Sequence, residues 1–575
     1  MVSKILSKGK KLFTGPQSTI LSAATIIMIM IVASRVLGLV RQRTLATFFA
    51  PDEISLFFAA FRLPDTIFEV LVFGTFSSAF IPVFTRVVDK DKKAAWRLAS
   101  TISNVGISAF IFFAMFLCLY ADSLYGVIAP GFSITERGQI VQLTKILFAA
   151  QGFFVLSYVL TGVLESLRRF LVPALAPLFY NLGIIFGTIF LSDRFGLIAP
   201  AIGVFVGAMM HFLIQLPLAV KLGYRLTTSF FVDKNVKRIG KLAAPRVLEL
   251  TFSQVAKSVE LYLASFISTA SYAYFYLGNT LQLLPVGLFG VSIAKAALPT
   301  LSKQSDDREA FRKSLFNSLY QMVFLVLPVS AILIVLRIPI VRLVYGTEMF
   351  DWQSTVQTGW VVSAFAVGVV FQSANSLLAR AFYALHNTKT PVMISIFSMA
   401  VNILLGFYLV RKLGLPVWGL ALAFSLGSFI QATLLFYLLN KKISEKISLA
   451  LIAPVIKASI AAIGSGSVMY VILKVFDRSV WVKRLSFITN IEAVKNLPFE
   501  KFVLDTRYTA NLLILTILVS TIGGLTYLGI SILLKSNEVY VFFNLVKRIF
   551  IKHKVSPIPA KEPESVVPAA QDTAE

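Results

Sequence analysis

Charged side chains lie inside segments that are otherwise apolar, and they are the strongest candidates for chemistry. One stripe consists of Arg246, Glu249, Ser253, Lys257 and Glu260, at spacings of three, four, four and three. At about 100° per residue, this spacing puts all five on one helix face. Each ionisable group in a membrane costs about 2.5 kcal/mol or more, so the stripe must line a helix interface, as two internal ion pairs, or a water-filled cavity. We expect the cavity.

A second candidate segment carries three arginines close together. It contains Ser34, Arg35, Gly38, Arg41 and Arg43. Arg35 lies about 120° around a helix from Arg41, which shares a face with Ser34 and Gly38, so both arginines face one cavity only if the helix bends, for example at Gly38. The alternative is that Arg41 and Arg43 extend to the outer interface while Arg35 pairs with a neighbouring helix. We predict that Arg35 and Arg41 bind an anion, supported by Ser34 and Gly38.

A third group lies on the next apolar segment. Arg62, Asp65 and Glu69 are spaced by three and four residues and so share one stripe of a helix. Pro64 weakens the backbone hydrogen bonding nearby. These side chains either satisfy one another or bind a coupling cation. We include Arg62 among the predicted substrate-binding cations, with Asp65 as a supporting residue.

Other kinds of chemistry have little support in the sequence. Its three histidines, His211, His386 and His553, are far apart, and its single cysteine, Cys118, permits neither a disulfide framework nor a thiolate cluster. We find no metal-ligand spacing, nucleophile elbow or phosphate-binding glycine loop. We therefore predict a protein that is not an enzyme and that uses no metal or cofactor.

The composition requires that these residues be positioned by membrane helices. Of the 575 residues, 57% are hydrophobic and 14% are charged, whereas soluble domains carry about 25% charged residues. A helix crosses the hydrocarbon core with about 20 apolar residues. The sequence predicts about 14 such spans, near 22–46, 54–84, 98–121, 140–164, 172–192, 198–220, 243–267, 272–300, 315–340, 355–384, 392–410, 416–439, 449–475 and 509–534.

The net charge of +26 is explained by topology better than by nucleic acid, which we exclude as a partner. Lysine and arginine collect in alternate loops, and the positive-inside rule then places both termini in the cytoplasm. The loop 476–508 is an exception, because it is basic on the opposite side. A signal peptide at 20–33 is disfavoured, because arginines follow without a cleavage site. We predict a multi-pass protein of the bacterial cytoplasmic membrane.

Two halves of the sequence resemble each other at a nearly constant offset. Residues 79–86 match 296–303 at 217, and Phe132 matches Phe350 at 218. Six spans per copy give both copies the same orientation, and parallel repeats are typical of transporters with a central cavity. The predicted organisation is a basic tail (1–19), a first lobe (20–225), a second lobe (226–445), two further spans with an outer loop (446–540) and a disordered cytoplasmic tail (541–575).

Several segments together resemble the MurJ lipid II flippase family, a branch of the multidrug/oligosaccharidyl-lipid/polysaccharide exporter superfamily. They are Ser34 to Gly38, Phe57 to Pro64, Ser78 to Pro82, Ala129 to Phe132, Pro299 to Lys303 and Lys389 to Pro391. The resemblance implies an all-α fold of 14 helices. It also implies that undecaprenyl-pyrophosphate-linked disaccharide-pentapeptide crosses from the inner to the outer leaflet by alternating access, with the last two helices holding the polyprenyl tail.

The carry-over of family residues is partial. Arg35 and Arg41 match the two arginines of the family's first helix, and Arg62 matches a basic position in its second helix. Four charged positions of the family are neutral here, namely Gln42, Ser55, Phe68 and Thr280. We hypothesise that Arg246 and Lys257, with Glu249 and Glu260 in support, restore the positive charge that a pyrophosphate requires.

Competing functions stay open at this point. The same fold could export another polyprenyl-linked glycan or an amphipathic drug. The lost arginines could instead mark a scaffold that does not transport and that assembles cell-wall enzymes. For the flippase we expect a lipid-linked precursor and membrane lipids as partners, with cell-wall synthesis proteins as further candidates.

Overall fold

The computed structural model describes residues 20–73, 79–225, 227–443, 449–477 and 504–550. Apart from one bridge between Asp477 and Leu504, these residues form helices and short connections. Within the described ranges, 11 helices are long and apolar enough to cross a membrane. The fold is therefore an all-α membrane bundle, and the figure of 14 spans stays a prediction.

Helices of the first half are short and long in alternation. They are α1 (Ile20–Phe48), α2 (Pro51–Ala60), α3 (Arg62–Phe68), α4 (Ile81–Lys90), α5 (Lys92–Leu119), α6 (Ala121–Ile128), α7 (Ile134–Ser166), α8 (Leu171–Phe195), α9 (Ile198–Leu213) and α10 (Leu216–Lys221). We call α1–α10 the first lobe.

The remaining helices continue the same alternation. They are α11 (Lys234–Ser265), α12 (Ser271–Pro285), α13 (Ser292–Lys303), α14 (Arg308–Val335), α15 (Arg337–Tyr345), α16 (Trp352–Ala384), α17 (Lys389–Gly406), α18 (Trp418–Ile443), α19 (Leu449–Phe476), α20 (Thr509–Leu533) and α21 (Asn537–Phe550). We call α11–α18 the second lobe. The last helix covers the first ten residues of the tail predicted to be disordered, and residues 1–19, 478–503 and 551–575 lie outside the described part.

The predicted span 54–84 is a series of segments rather than one helix. After α2 and α3 the backbone widens into a π-helical stretch at Glu69–Phe73. A π-helical stretch also joins α12 to α13 at Val286–Val291, directly after Pro285, whose missing N–H group interrupts the helical ladder. Such stretches often occur at functional sites, because they leave backbone groups unpaired and redirect side chains.

Helix ends repeat at the offset that the sequence indicates. The helices α7 and α16 have 33 residues each and begin 218 residues apart, and α5 and α14 have 28 residues each and begin 216 apart. Left-handed backbone conformations follow α7 at Arg168 (φ 57°) and α16 at His386 (φ 55°), again 218 residues apart. Because these features arise from local capping, they support an internal repeat independently of residue identity.

Packing partners also recur between the two lobes. In the first lobe α8 packs on α9, α5 on α7 and α1 on α8; in the second lobe α17 packs on α18, α14 on α16 and α11 on α17. This is the pattern expected of two copies in parallel orientation. Superposition of residues 22–220 on 243–439 about an axis near the membrane normal stays a prediction.

Four glycines let α8 and α9 approach at backbone distance. A Cβ atom on Gly183 would lie 2.5 Å from the Gly207 Cα atom, and one on Gly187 would lie 2.6 Å from the Gly203 Cα atom. Small residues at helix contacts are a general means of close packing in membranes. This pair forms a rigid wall of the first lobe behind α1.

The lobes meet at the end of the bundle that carries Phe132 and Phe350, which we call the Phe132 end. There Thr269 donates to Glu136 at 2.8 Å, and the Gly131 N–H group donates to the Ser265 hydroxyl at 3.2 Å. The rings of Phe58 and Tyr276 stack with centroids 4.0 Å apart. Phe132 and Phe350 are both buried. These contacts hold the two lobes together on one side of the central region.

Candidate functional site

The two family-type arginines of α1 lie against different walls of the central region. Arg35 is exposed and its guanidinium lies against Gly287 of the second lobe, where an added Cβ atom would be 3.0 Å from the Nη2 atom. Arg41 lies over the Tyr180 ring of the first lobe, with its Cζ atom 6.0 Å from the centroid. The helix runs unbroken through Gly38, so the two cations reach different lobes from one continuous element.

Neither arginine has a hydrogen-bond or ion-pair partner within the part of the chain that the structure describes. Buried Nε atoms without a partner include that of Arg41. By contrast, Arg43 donates to the backbone oxygens of Leu343 at 2.7 Å and Val344 at 3.4 Å. The third arginine is therefore tied to α15, rather than extended to the outer interface as the alternative reading suggested. Ser34 is half-buried beside this pair.

A bridge of four polar side chains connects the first lobe to α11. Arg62 donates to the Gln254 carbonyl oxygen, and the Gln254 amide donates to Glu69. Lys257 donates to both carboxylate oxygens of Glu69, at 3.2 and 3.0 Å. The side chains of Lys257 and Glu69 are 39% and 30% exposed. The ion pair thus joins the lobes and keeps one edge open.

The charged stripe of α11 is consequently arranged differently from either prediction. Its cation Lys257 pairs with Glu69 of the other lobe and not with Glu260 of its own helix. Glu260 is half-buried, within electrostatic reach of Arg62 and Lys257 and hydrogen-bonded by Asn402. Glu249 is half-buried, and the Arg246 side chain lies outside the described part.

Asp65 faces a separate cavity inside the first lobe. Its Oδ1 atom accepts a 2.7 Å hydrogen bond from the Gln151 amide. The cavity has a volume of about 360 Å³. Its lining includes two carboxylates, an amide, an imidazole and four aromatic rings, which belong to Asp65, Glu69, Gln151, His211, Phe68, Phe154, Tyr158 and Tyr180. The His211 Nδ1 atom lies 2.6 Å from the Ser157 hydroxyl.

The positions where family charges are missing lie in ordered contacts. Gln42 donates to the Thr280 hydroxyl at 3.2 Å and accepts from Tyr345 at 3.0 Å. Two of the neutral replacements therefore contact each other, so a site for an opposite-charge pair has become a neutral hydrogen bond. Phe68 packs against the rings of Phe154 and Tyr158, and Ser55 is buried without a partner for its hydroxyl.

Sequence reasoning missed the two glutamines at the centre of these networks. Gln254 is adjacent to the predicted stripe position Ser253 and is 1% exposed, and Gln151 is 6% exposed. Neutral amides in apolar segments give a weak signal, since only their partners reveal their role. No group of three or more His, Cys, Asp or Glu side chains among the described residues is placed to hold a metal ion.

Comparisons with known proteins agree on one family. A family model described as "Lipid II flippase MurJ" matches residues 44–491. A probable lipid II flippase MurJ of Buchnera aphidicola is 27% identical over 493 residues, covering 84% of this chain and 94% of the relative. One from Vibrio cholerae is 28% identical over 438 residues, covering 72% and 82%.

Solved structures give the same result for the fold. A structure described as "Lipid II flippase MurJ, inward closed conformation" is 25% identical with a TM-score of 0.71, covering 91% of this chain and all of the other. A multidrug resistance transporter of the MATE family, in an inward-facing conformation, is 16% identical with a TM-score of 0.58, covering 73% and 95%, and so supports the fold alone. With a family model that spans most of its length, this chain belongs to the MurJ family of lipid II flippases.

Proposed function

We propose that this protein moves lipid II, the undecaprenyl-pyrophosphate-linked peptidoglycan precursor, from the inner to the outer leaflet of the cytoplasmic membrane. The observation that carries the proposal is the pair of arginines Arg35 and Arg41, which lie at the lobe boundary without partners among the described residues. Membership of the MurJ family supplies the substrate class.

Unpaired arginines inside a membrane bundle favour an anionic ligand. A charged side chain in this environment costs about 2.5 kcal/mol or more unless water or a partner compensates it. A guanidinium offers five donors in a planar fork, which matches the oxygens of a diphosphate in a bidentate way. Arg35 and Arg41 would then hold the diphosphate between walls of opposite lobes, and each movement of the lobes would change the distance between the two cations.

The remaining predicted cations have a secondary role in this proposal. Arg62 and Lys257 are engaged by Gln254 and Glu69, so they reach the substrate only after the bridge between the lobes opens. Arg246 is retained as a candidate on its sequence position. Asp65, Glu249 and Glu260 support the cations as neighbouring carboxylates.

Alternating access fits the distribution of contacts between the lobes. Hydrogen bonds and a ring stack close the Phe132 end, which the positive-inside rule places outside the cell, with both termini in the cytoplasm. The arginines would meet the substrate from the inner leaflet, and release would require these outer contacts to separate. Cell-wall synthesis proteins are further partners in this proposal, and the protein acts as a transporter rather than as an enzyme.

Replacement of an essential lipid II flippase in a depletion strain tests the proposal. We expect growth with this gene, and loss of growth with Arg35→Ala at equal expression. A chain that is inserted and never supports growth, but exports another glycan-lipid or a dye, would instead indicate a different exporter. Insertion without any transport would indicate the scaffold.

A further inference from the structure

We propose that the cavity between Asp65, Gln151 and the surrounding aromatic rings binds an organic ammonium group carried by the translocated head group. This inference rests on the proposed function and adds a second recognition element to it. The diphosphate would be held by the arginines of α1, and a positively charged amine of the peptide would enter the first lobe.

Asp65 is the carboxylate that lacks a cation of its own. Glu69 is paired with Lys257 at 3.0 Å, and Arg62 donates to Gln254. Asp65 has no ion pair within 4 Å among the described residues, and its hydrogen bond comes from the neutral Gln151 amide. A carboxylate in a membrane bundle is stabilised by a cation, so this position leaves one positive charge to be supplied by a ligand.

Gln151 provides an independent indication of a missing donor. The residue is 6% exposed, it lines the cavity, and its Oε1 atom has no hydrogen-bond partner although that atom is buried. Buried polar atoms without partners are uncommon in proteins. An ammonium group has three N–H donors, so it can serve both the Asp65 carboxylate and the Gln151 oxygen.

The walls of the cavity favour an organic cation over a metal ion. Phe68, Phe154, Tyr158 and Tyr180 line it, and Phe68 meets Phe154 and Tyr158 with ring centroids 5.9 and 5.2 Å apart. Aromatic faces attract ammonium groups, especially where water is excluded. A volume of about 360 Å³ accommodates an alkylammonium chain, whereas a bare ion needs a tight shell of oxygen ligands.

The binding test uses two chemically modified lipid II samples and the purified full-length protein. Dimethylation of the free peptide amine keeps its positive charge, and acetylation removes it. We expect acetylated lipid II to bind about tenfold more weakly than unmodified lipid II, which corresponds to about 1.4 kcal/mol. Dimethylated lipid II should bind within about threefold of the unmodified lipid. Asp65→Asn, which preserves size, should bind all three lipids alike.

Exposed Asp193→Asn is the matched control and should discriminate as the wild type does. Equal binding of acetylated and unmodified lipid II to the wild type would overturn the ammonium site while leaving the proposed function intact. Sodium-dependent binding that disappears in Asp65→Asn, without any effect of acetylation, would show a metal cation in the cavity instead and would also overturn the proposal. No binding of any lipid II sample would contradict the proposed function itself.

Discussion

At the scale of single residues, the site contains two kinds of cation. Arg35 and Arg41 have no partner among the described residues, whereas Arg43 is bound to backbone oxygens of α15 and Lys257 to Glu69. Unpartnered cations can bind a ligand directly. Cations that already have partners contribute to the connection between the lobes, and their removal should have different consequences.

Replacing Arg35 or Arg41 by alanine should abolish growth in the depletion strain and weaken lipid II binding about tenfold or more, since hydrogen bonds to charged groups contribute about 1.5–3 kcal/mol. Lysine should restore little, because it lacks the planar fork. The control is Arg194→Ala, whose side chain stacks on Phe195 at 5.5 Å. Equal growth of all three alanine variants at equal expression would contradict a direct role in binding.

The Lys257–Glu69 pair should show energetic coupling between the lobes. Because both side chains are partly exposed, we expect a coupling free energy of at most about 1 kcal/mol, measured by thermal unfolding of Lys257→Ala, Glu69→Gln and the double variant. The cycle of Lys257 with Glu260 is the comparison and should give a smaller value. A larger coupling to Glu260 would indicate that the ion pair lies within α11.

Much of the residue scale could be predicted from the sequence, and the rest could not. The stripe of α11 and the arginines of α1 were visible because charged residues are rare in apolar segments. The partner of Lys257 was not, because Glu69 lies on another lobe and sequence spacing reports only neighbours on one helix. Gln42 and Thr280 looked like independent losses of charge, and only their 3.2 Å contact shows that they changed as a pair.

At the scale of helices, the repeat was predictable and the broken spans were not. Helix starts 216 and 218 residues apart follow the offset seen in the sequence. The π-helical stretch at Glu69–Phe73 has no comparable signal, because one extra residue in a turn leaves the apolar pattern almost unchanged. This stretch nevertheless places Glu69 at the lobe boundary.

The contact between α8 and α9 should be the least tolerant helix interface. Gly183→Ala puts a methyl group 2.5 Å from the Gly207 Cα atom, so the backbones must separate, and we expect a loss of about 1–3 kcal/mol of stability. Thermal unfolding of the purified protein measures it. Gly524→Ala on α20, where nothing lies within 4 Å of the added atom, is the control. Equal unfolding temperatures for both variants would refute the close contact.

At the scale of the whole molecule, contacts between the lobes at the Phe132 end must break during transport. A cysteine pair at Glu136 and Thr269, introduced with Cys118→Ser, should therefore stop lipid II movement when joined by a short reducible crosslinker, and reduction should restore it. The single-cysteine variants treated in the same way serve as controls. Undiminished transport in the crosslinked protein would show that the outer contacts do not open.

The most direct test of the central claim measures lipid II in the outer leaflet of cells depleted of their own flippase. A membrane-impermeant enzyme that cleaves the head group reports the exposed fraction. We predict that this chain restores cleavage and that the Arg35→Ala, Arg41→Ala double variant, inserted at the same level, does not. Lipid II that stays protected from the enzyme while the wild-type chain is fully inserted would contradict the claim that this protein is a lipid II flippase.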